Sequence, residues 1–316
     1  MLADTVTSAE AAAILAEDPD YRTQKRFKRR DEYAIEPWGL GEAEAARLAA
    51  FVDVETTGLD RENDEIIELG ILPFTYSPTT GQIYNVLYNR AICSFNEPAK
   101  RTISEEITEL TGITPAMVKG HRLPGGQIME LLGNCQLIIA HNAEYDRPVL
   151  ERRFIDWQQK HWACSQQEVP WGRFGVVGHK LQHVLSDACG EFYDAHRALD
   201  DCAVGIHVLA AAQHDGRSAM SWLLESARKP TVRMWAIDSP FPKKETLKSH
   251  RPRYHWSDGK KGLRKGWYVD LKPEQLEAEK EWLLVHIYSG RVEERHAIAL
   301  EKYGSRDRYS GRLHPQ

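Results

Sequence analysis

The 316-residue chain predicts an α/β domain followed by a small α+β module. Three observations carry this. Phe51-Val52-Asp53-Val54 and Leu137-Ile138-Ile139-Ala140 are apolar runs of strand length. The stretches Ala143 to Phe154 and His196 to Gln213 have the apolar spacing of helices. Beyond Gln213 the composition turns basic and tryptophan-rich. The order predicts a mixed sheet, an antiparallel meander plus parallel strands, flanked by helices.

Taken along the chain, residues 1–46 read as an N-terminal helical extension. Ser8-Ala9-Glu10 opens an Ala-rich helix that stops near Asp18-Pro19, and Lys25-Arg26 and Lys28-Arg29-Arg30 follow. That charge run reads either as a solvated surface or as a basic arm on phosphate. Residues 47–213 form the α/β domain. Its first strand holds Asp53, its second runs from Glu65 to Leu72, and its third from Ile83 to Cys93 after the turn Thr79-Thr80-Gly81-Gln82. Ser104 starts a helix and Pro115 opens another short one. Residues 214–316 form a basic, Trp-rich accessory domain. It predicts a strand near Val232, a helix near Glu245, a turn at Asp258-Gly259, a strand at Trp267 and a helix from Pro273 to Ile287, then a polar tail of uncertain order from Arg291.

Composition excludes several classes. Hydrophobic residues make up 42% and charged residues 28%, ordinary for a globular protein. No apolar run approaches the roughly 20 residues that cross a bilayer, so no membrane partner is expected. The five cysteines form no CxxC pair, which argues against a zinc site or a disulfide framework and for a reducing, cytoplasmic setting. The net charge of −5 hides an asymmetry. From Gln213 onward there are 21 Lys and Arg against 14 Asp and Glu; before it, 20 against 32. An acidic front can hold cations, and a basic back can hold a polyanion.

Asp53 and Glu55 lie two apart on a strand, so both point to one face. Two carboxylates in an apolar setting repel, and a hard cation relieves that. Thr56-Thr57-Gly58 ends the strand in a turn where backbone can approach a ligand. Asp146 falls in the first turn of the helix after the Leu137 strand, near the strand's carboxyl end. His196 precedes Asp201 by five residues across a helix start. An imidazole there can take a proton from water at neutral pH. Four carboxylates with a neighbouring His can hold two divalent ions for an in-line phosphoryl displacement, without a Ser or Cys nucleophile.

These stretches, Phe51 to Leu59, His141-Asn142-Ala143-Glu144-Tyr145-Asp146 and His196-Arg197-Ala198-Leu199-Asp200-Asp201, together resemble the motifs of the DnaQ-like, DEDDh branch of the 3′–5′ exonucleases, an RNase H-like superfamily. A Tyr-type branch would need Tyr four residues before the last Asp, and Arg197 stands there. The resemblance implies an RNase H-like mixed sheet and two Mg²⁺ ions, with Mn²⁺ able to substitute. It implies that Asp53 bridges both metals, that Glu55 and Asp201 complete the first site, and that Asp146 supports the second. It implies His196 as general base, Thr56, Thr57, Gly58 and Leu59 as the seat of the 3′-terminal nucleotide, and Asn142 as an orienting residue. The implied activity removes 5′-monophosphates from the 3′ end of DNA. The alternatives are a 3′–5′ exoribonuclease of the RNase T or oligoribonuclease kind, and a silent nucleic-acid-binding module. Nucleic acid is the expected partner, DNA before RNA, with a homodimer left open.

Overall fold

Thr7 accepts the N–H of Glu10, and the Glu10 carboxylate accepts the N–H of Thr7, which starts helix α1 at Ser8–Glu17. The computed structural model describes residues 6–37, 39, 41, 42, 44–213, 215–260, 264–290 and 297–310. After α1 the leader docks on the α/β domain with its basic side chains exposed. Lys25–Arg26 is a short strand, β1, paired in parallel with Glu191–Phe192. Arg22, Arg26, Arg29 and Arg30 pair with Asp187, Asp194, Asp200 and Glu191. The charge run is thus solvent-exposed, as the first of the two expectations has it, and its arginines also pair with carboxylates of the α/β domain.

Strand β2 (Arg47–Thr56) is the centre of the large sheet. It pairs antiparallel with β3 (Ile66–Tyr76) and parallel with the later Leu137–Ala140 strand. The third strand expected over Ile83 to Cys93 is two: β4 (Ile83–Val86) and β5 (Ile92–Phe95), separated by a 3-10 turn at Tyr88–Arg90. β4 pairs near Phe74–Tyr76 and β5 with Glu68–Ile71. The gap falls at Leu72-Pro73, and proline offers a ladder no N–H. Helices α2 (Glu105–Thr111) and α3 (Pro115–Val118) start where Ser104 and Thr114 cap them. α4 (Gly125–Gly133), β6 (Leu137–Ala140), α5 (Ala143–Arg153), β7 (Trp162–Cys164), α6 (Ser165–Glu168), α7 (Leu181–Cys189), the short β8 (Glu191–Phe192) and α8 (Ala198–Ala210) complete the unit. The path through its sheet is β4-β3-β2-β6-β7, with β5 also on β3.

Alternation along β2 divides the core. Ala50, Val52 and Val54 face a cluster with Ile128, Leu132, Val149 and Leu150 of α4 and α5. Ala49 and Phe51 face a cluster with Val184, Leu185, Cys202, Ile206 and Leu209 of α7 and α8. Asp53 and Glu55 continue that second face. α8 reaches it closely because two glycines clear the way. A Cβ at Gly70 would meet the Ala198 carbonyl carbon at 2.5 Å, and one at Gly205 would meet the Phe51 ring at 2.2 Å.

Helix α9 (Ala219–Arg228) falls after the division drawn at residue 213, yet its buried Ala219, Met220, Leu223 and Leu224 join the α7–α8 side of the first core. A second sheet follows, ordered β10-β11-β9-β12, with β9 at Thr231–Ala236, β10 at His255–Asp258, β11 at Lys265–Leu271 and β12 at Ile298–Tyr303. α10 (Lys244–Ser249) and the α11 region (Leu276–Trp282, continued by a π turn to Ile287) cover it. The expected β9, α10, β11 and α11 are present. β10 and β12 are additions, and β12 replaces part of a tail expected to be irregular. The expected basic Lys261, and 291–296 and 311–316 of the tail, lie outside the described residues.

The tail then returns to the first unit. The buried Arg147 guanidinium donates to the carbonyls of Arg306 and Arg308, Arg308 pairs with buried Glu168 at 2.6 Å, and Ser310 donates to Glu151. Buried charges of this kind are tolerated only when paired and hydrogen-bonded, so this staple fixes the two units in one arrangement.

Candidate active site

Asp53 and Glu55 project from β2 toward α8, where Asp201 meets them. One carboxylate oxygen of each lies within 4.8 Å of the others. Asp146 approaches from the first turn of α5. It is buried, beside the backbone of Val54, the β2 residue between the two strand acids. β6 ends its pairing with β2 at Phe51, short of Val54.

Arg197, a basic side chain close enough to act on Glu55, is paired with Glu68 at 2.8 Å. Desolvation, then the charges of Asp201, Asp146 and Glu55, hold Asp53 well above the usual carboxylate range. Desolvation, then Asp201 and Glu68, push Glu55 up to about 8. Burial pushes Asp146 up to about 7. Crowded oxygen donors that resist ionisation together fit hard divalent cations, which replace the shared protons.

The pH dependence of stability follows. Glu55 and Asp146 bind protons more tightly folded than unfolded, so their contribution is fully present below about 4 and is lost as pH rises toward 7–8. Buried His141 and His207, pushed down to about 4, oppose this below pH 6.5. With chelator present, the melting temperature should therefore rise as pH falls from 8 to 6.5, and millimolar Mg²⁺ should flatten the trend. A flat profile in chelator would show that the carboxylates do not repel as placed.

Asp201 is held by three donors: the Tyr193 hydroxyl, and the His196 and Arg197 N–H groups, each at 3.0 Å. His196 has φ of 73°, in the left-handed region. That stops the helix short of the expected start at His196; α8 begins at Ala198. Glu68, 1% exposed on β3 and opposite Glu55, accepts from the Ala198 N–H at 3.1 Å and from Arg197. Tyr193 and Glu68 escape a reading by motif. Tyr193 is eight residues before Asp201, outside the spacing of the Tyr-type motif. Glu68 carried one signal, an acid inside the apolar run Ile66 to Leu72.

The turn after β2 is stiff. Thr56 Oγ1 donates to the Gly58 carbonyl at 2.6 Å, and so does the Tyr145 hydroxyl at 2.7 Å. Thr57 Oγ1 donates to buried Asp64 at 2.9 Å. Arg61 donates to the Glu144 carbonyl, and Arg152 to the carbonyls of Arg61 and Asp64, which ties the loop to both ends of α5. Leu59 stands out from this frame, 85% exposed. Asn142 is exposed at the start of α5, and its side chain does not cap the helix. His141 is structural: buried, with its ring nitrogens against Ser165 Oγ and the His179 carbonyl.

The leader strap reaches this site. Lys25 and Phe27 N–H groups bond the Gly190 and Phe192 carbonyls, and Arg29 holds Asp200, beside Asp201, at 2.7 Å. Exposed pairs are worth about 0–1 kcal/mol. Arg29→Ala should therefore leave the melting temperature nearly unchanged but lower turnover up to about fivefold through a looser α8 start. Arg29→Lys should recover part of it, and an unchanged turnover number for Arg29→Ala would remove the strap from the site.

The "DNA polymerase III PolC-type" of Clostridium perfringens is 31% identical over 165 residues, 50% of this chain and 10% of that protein. That of Thermotoga petrophila is 32% identical over 169 residues, 51% of this chain and 12% of that one. The chain thus spans about a tenth of the length of these curated relatives. Among solved structures, E. coli Exonuclease I in complex with a dA16 oligonucleotide is 14% identical with a TM-score of 0.47, over 74% of this chain and 66% of that one. Exonuclease X in complex with 5′ overhanging duplex DNA is 19% identical with a TM-score of 0.36, over 56% and 90%. The RNase_T family model, described as "Exonuclease", matches residues 50–209. That match runs from the strand carrying Asp53 to the helix carrying Asp201, half of the chain, and the protein belongs to the RNase_T exonuclease family.

Proposed function

We propose that the protein is a metal-dependent 3′–5′ exonuclease that removes nucleoside 5′-monophosphates from DNA. The observation that carries this reading is the meeting of Asp53, Glu55 and Asp201 oxygens within 4.8 Å, with buried Asp146 beside them. Asp53, Glu55 and Asp201 would hold one divalent ion, and Asp53 with Asp146 a second, Mg²⁺ or in its place Mn²⁺. When bound, such a pair supplies charge for the attacking and leaving oxygens of an in-line displacement.

The chain's own residues do the rest. His196 accepts the proton as a water oxygen bonds to phosphorus and the P–O3′ bond breaks. Its loop is pinned to Asp201 through two N–H groups, so imidazole and carboxylate move as one unit. Tyr193, whose phenol burial and Asp201 push up, stays a donor and orients that carboxylate. Leu59, on the turn braced by Thr56, Thr57 and Gly58, offers an apolar side chain to the terminal base, and exposed Asn142 lies at the start of the helix that carries Asp146.

Oligonucleotides labelled at the 3′ or the 5′ end, of DNA and of RNA, test this with Mg²⁺ and with chelator. The expected result is immediate release of labelled mononucleotide from 3′-labelled DNA, a ladder from 5′-labelled DNA, and slower action on RNA. A faster RNA reaction would move the substrate, and activity in chelator would remove the metals.

A further inference from the structure

We propose that the β10–β11 hairpin of the second sheet is a stacking platform for the single strand whose 3′ end enters the carboxylate site, an inference that rests on the exonuclease reading above.

The sheet uses its other large aromatics as core. Trp235, Tyr254 and Tyr268 are buried. Trp256 is 48% exposed on β10, an edge strand paired only with β11. It lies edge-on to Trp267, its cross-strand partner, with ring centroids 5.4 Å apart. Trp267 packs against the cluster under the sheet, and Trp256 does not belong to it. An indole held at one edge by a second indole and open to solvent is positioned to stack, not to fill a core.

The sequence around it is mostly basic. Residues 251–265 carry Arg251, Arg253, Lys260, Lys261, Arg264 and Lys265 against the single acid Asp258. Arg251, Arg253, Arg264 and Lys265 are exposed. Basic side chains interleaved with an open aromatic match what an unpaired strand offers, phosphates and bare base faces. An acidic peptide would satisfy the charge but leave the indole face unused.

Placement supplies the independent argument. The hairpin lies on the side of the molecule that carries Arg61 and Glu62, shortly after Leu59 in the chain. Lys260 is within electrostatic reach of Glu62, and Tyr268 of Arg61 and Glu144. Glu144 also lines one cavity with Asp270 and Leu271, so the end of β11 lies against the start of α5. Arg61 and Glu144 are joined by a 3.6 Å ion pair. The hairpin and the region of Arg61 and Glu144 are thus neighbours, within reach of one bound strand, and the buried staple of Arg147, Glu168 and Arg308 joins the two units.

The test uses the full chain. In an Asp53→Asn background, fluorescence-anisotropy titrations with labelled dT12 and dT2 are compared for the parent, Trp256→Ala, Trp256→Phe and the double change Arg264→Glu, Lys265→Glu. Trp256→Ala should weaken dT12 about tenfold and leave dT2 unchanged, and Trp256→Phe should keep most of the affinity. The charge reversal should lower the salt slope of dT12 binding by about one to two. In the active chain, Trp256→Ala should lower kcat/KM on dT12 while hydrolysis of the p-nitrophenyl ester of thymidine 5′-monophosphate stays at the parent rate. Parental dT12 affinity in Trp256→Ala, or an equal loss on dT12 and on the small ester, overturns the platform. A parent that binds dT12 through Trp256 but cleaves neither substrate overturns the exonuclease reading instead, and leaves the platform standing.

Discussion

Replacing Asp53 by Asn is expected to abolish turnover, on the order of 10³-fold or more, and at the same time to raise the melting temperature of the metal-free protein. The two effects have one cause. Asp53 sits among Glu55, Asp146 and Asp201, and each pushes its carboxyl toward the protonated form. Asn has nearly the same volume and keeps polar atoms in the pocket, so no cavity opens. What disappears is one of four mutually repelling charges, and with it the oxygen assigned to both ions. Residues that act as a unit show such non-additive losses. Stability moves the other way, because the charges that hold cations are a burden to the fold when cations are absent. Relief should appear as a rise of roughly 2–4 °C per kcal/mol of removed repulsion. The measurement is thermal melting in chelator beside steady-state hydrolysis in Mg²⁺. A variant that melts lower than the parent, or one that still turns over, would show that Asp53 is not at the centre of the cluster.

The same physics decides what could be read in the chain before its fold was known. Asp53, Glu55, Asp146 and Asp201 stand at strand ends and helix starts, where local pattern is informative. The β2 and β6 runs, the Ser104 and Pro115 helix starts and the α5 and α8 periodicity lie where the pattern puts them. What escaped depends on partners far away in the chain. Arg22, Arg26 and Arg29 read as solvated, which they are, but their partners Asp187, Asp194 and Asp200 lie more than 160 residues on and leave no local trace. Ile298–Tyr303 shows no alternation of apolar and polar residues and becomes a strand because it pairs with the open edge of β9. Arg308 has no local signal; it is buried because Glu168 is buried beside it. Pro73 did carry a signal, and it marks the place where one expected strand became β4 and β5.

His196→Ala is expected to lower turnover roughly 10²–10⁴-fold near neutral pH while the fold and substrate affinity persist. The fold should persist because backbone, not the imidazole, secures this loop. His196 and Arg197 N–H groups bond Asp201, Glu68 accepts the Ala198 N–H, and none of these bonds uses the ring. The left-handed φ of 73° costs about 1–2 kcal/mol for His and for Ala alike, so the substitution brings no new strain. The Asp201 carboxylate accepts three hydrogen bonds and has its remaining lone pair assigned to a divalent ion, so it is poorly placed to take over as base. The loss should therefore appear in kcat with KM little changed, and added imidazole should restore part of it. A parental kcat at pH 7 would assign the proton transfer to another group. A loss confined to KM would make His196 a substrate contact, and the strained backbone a means of presenting it to the nucleotide.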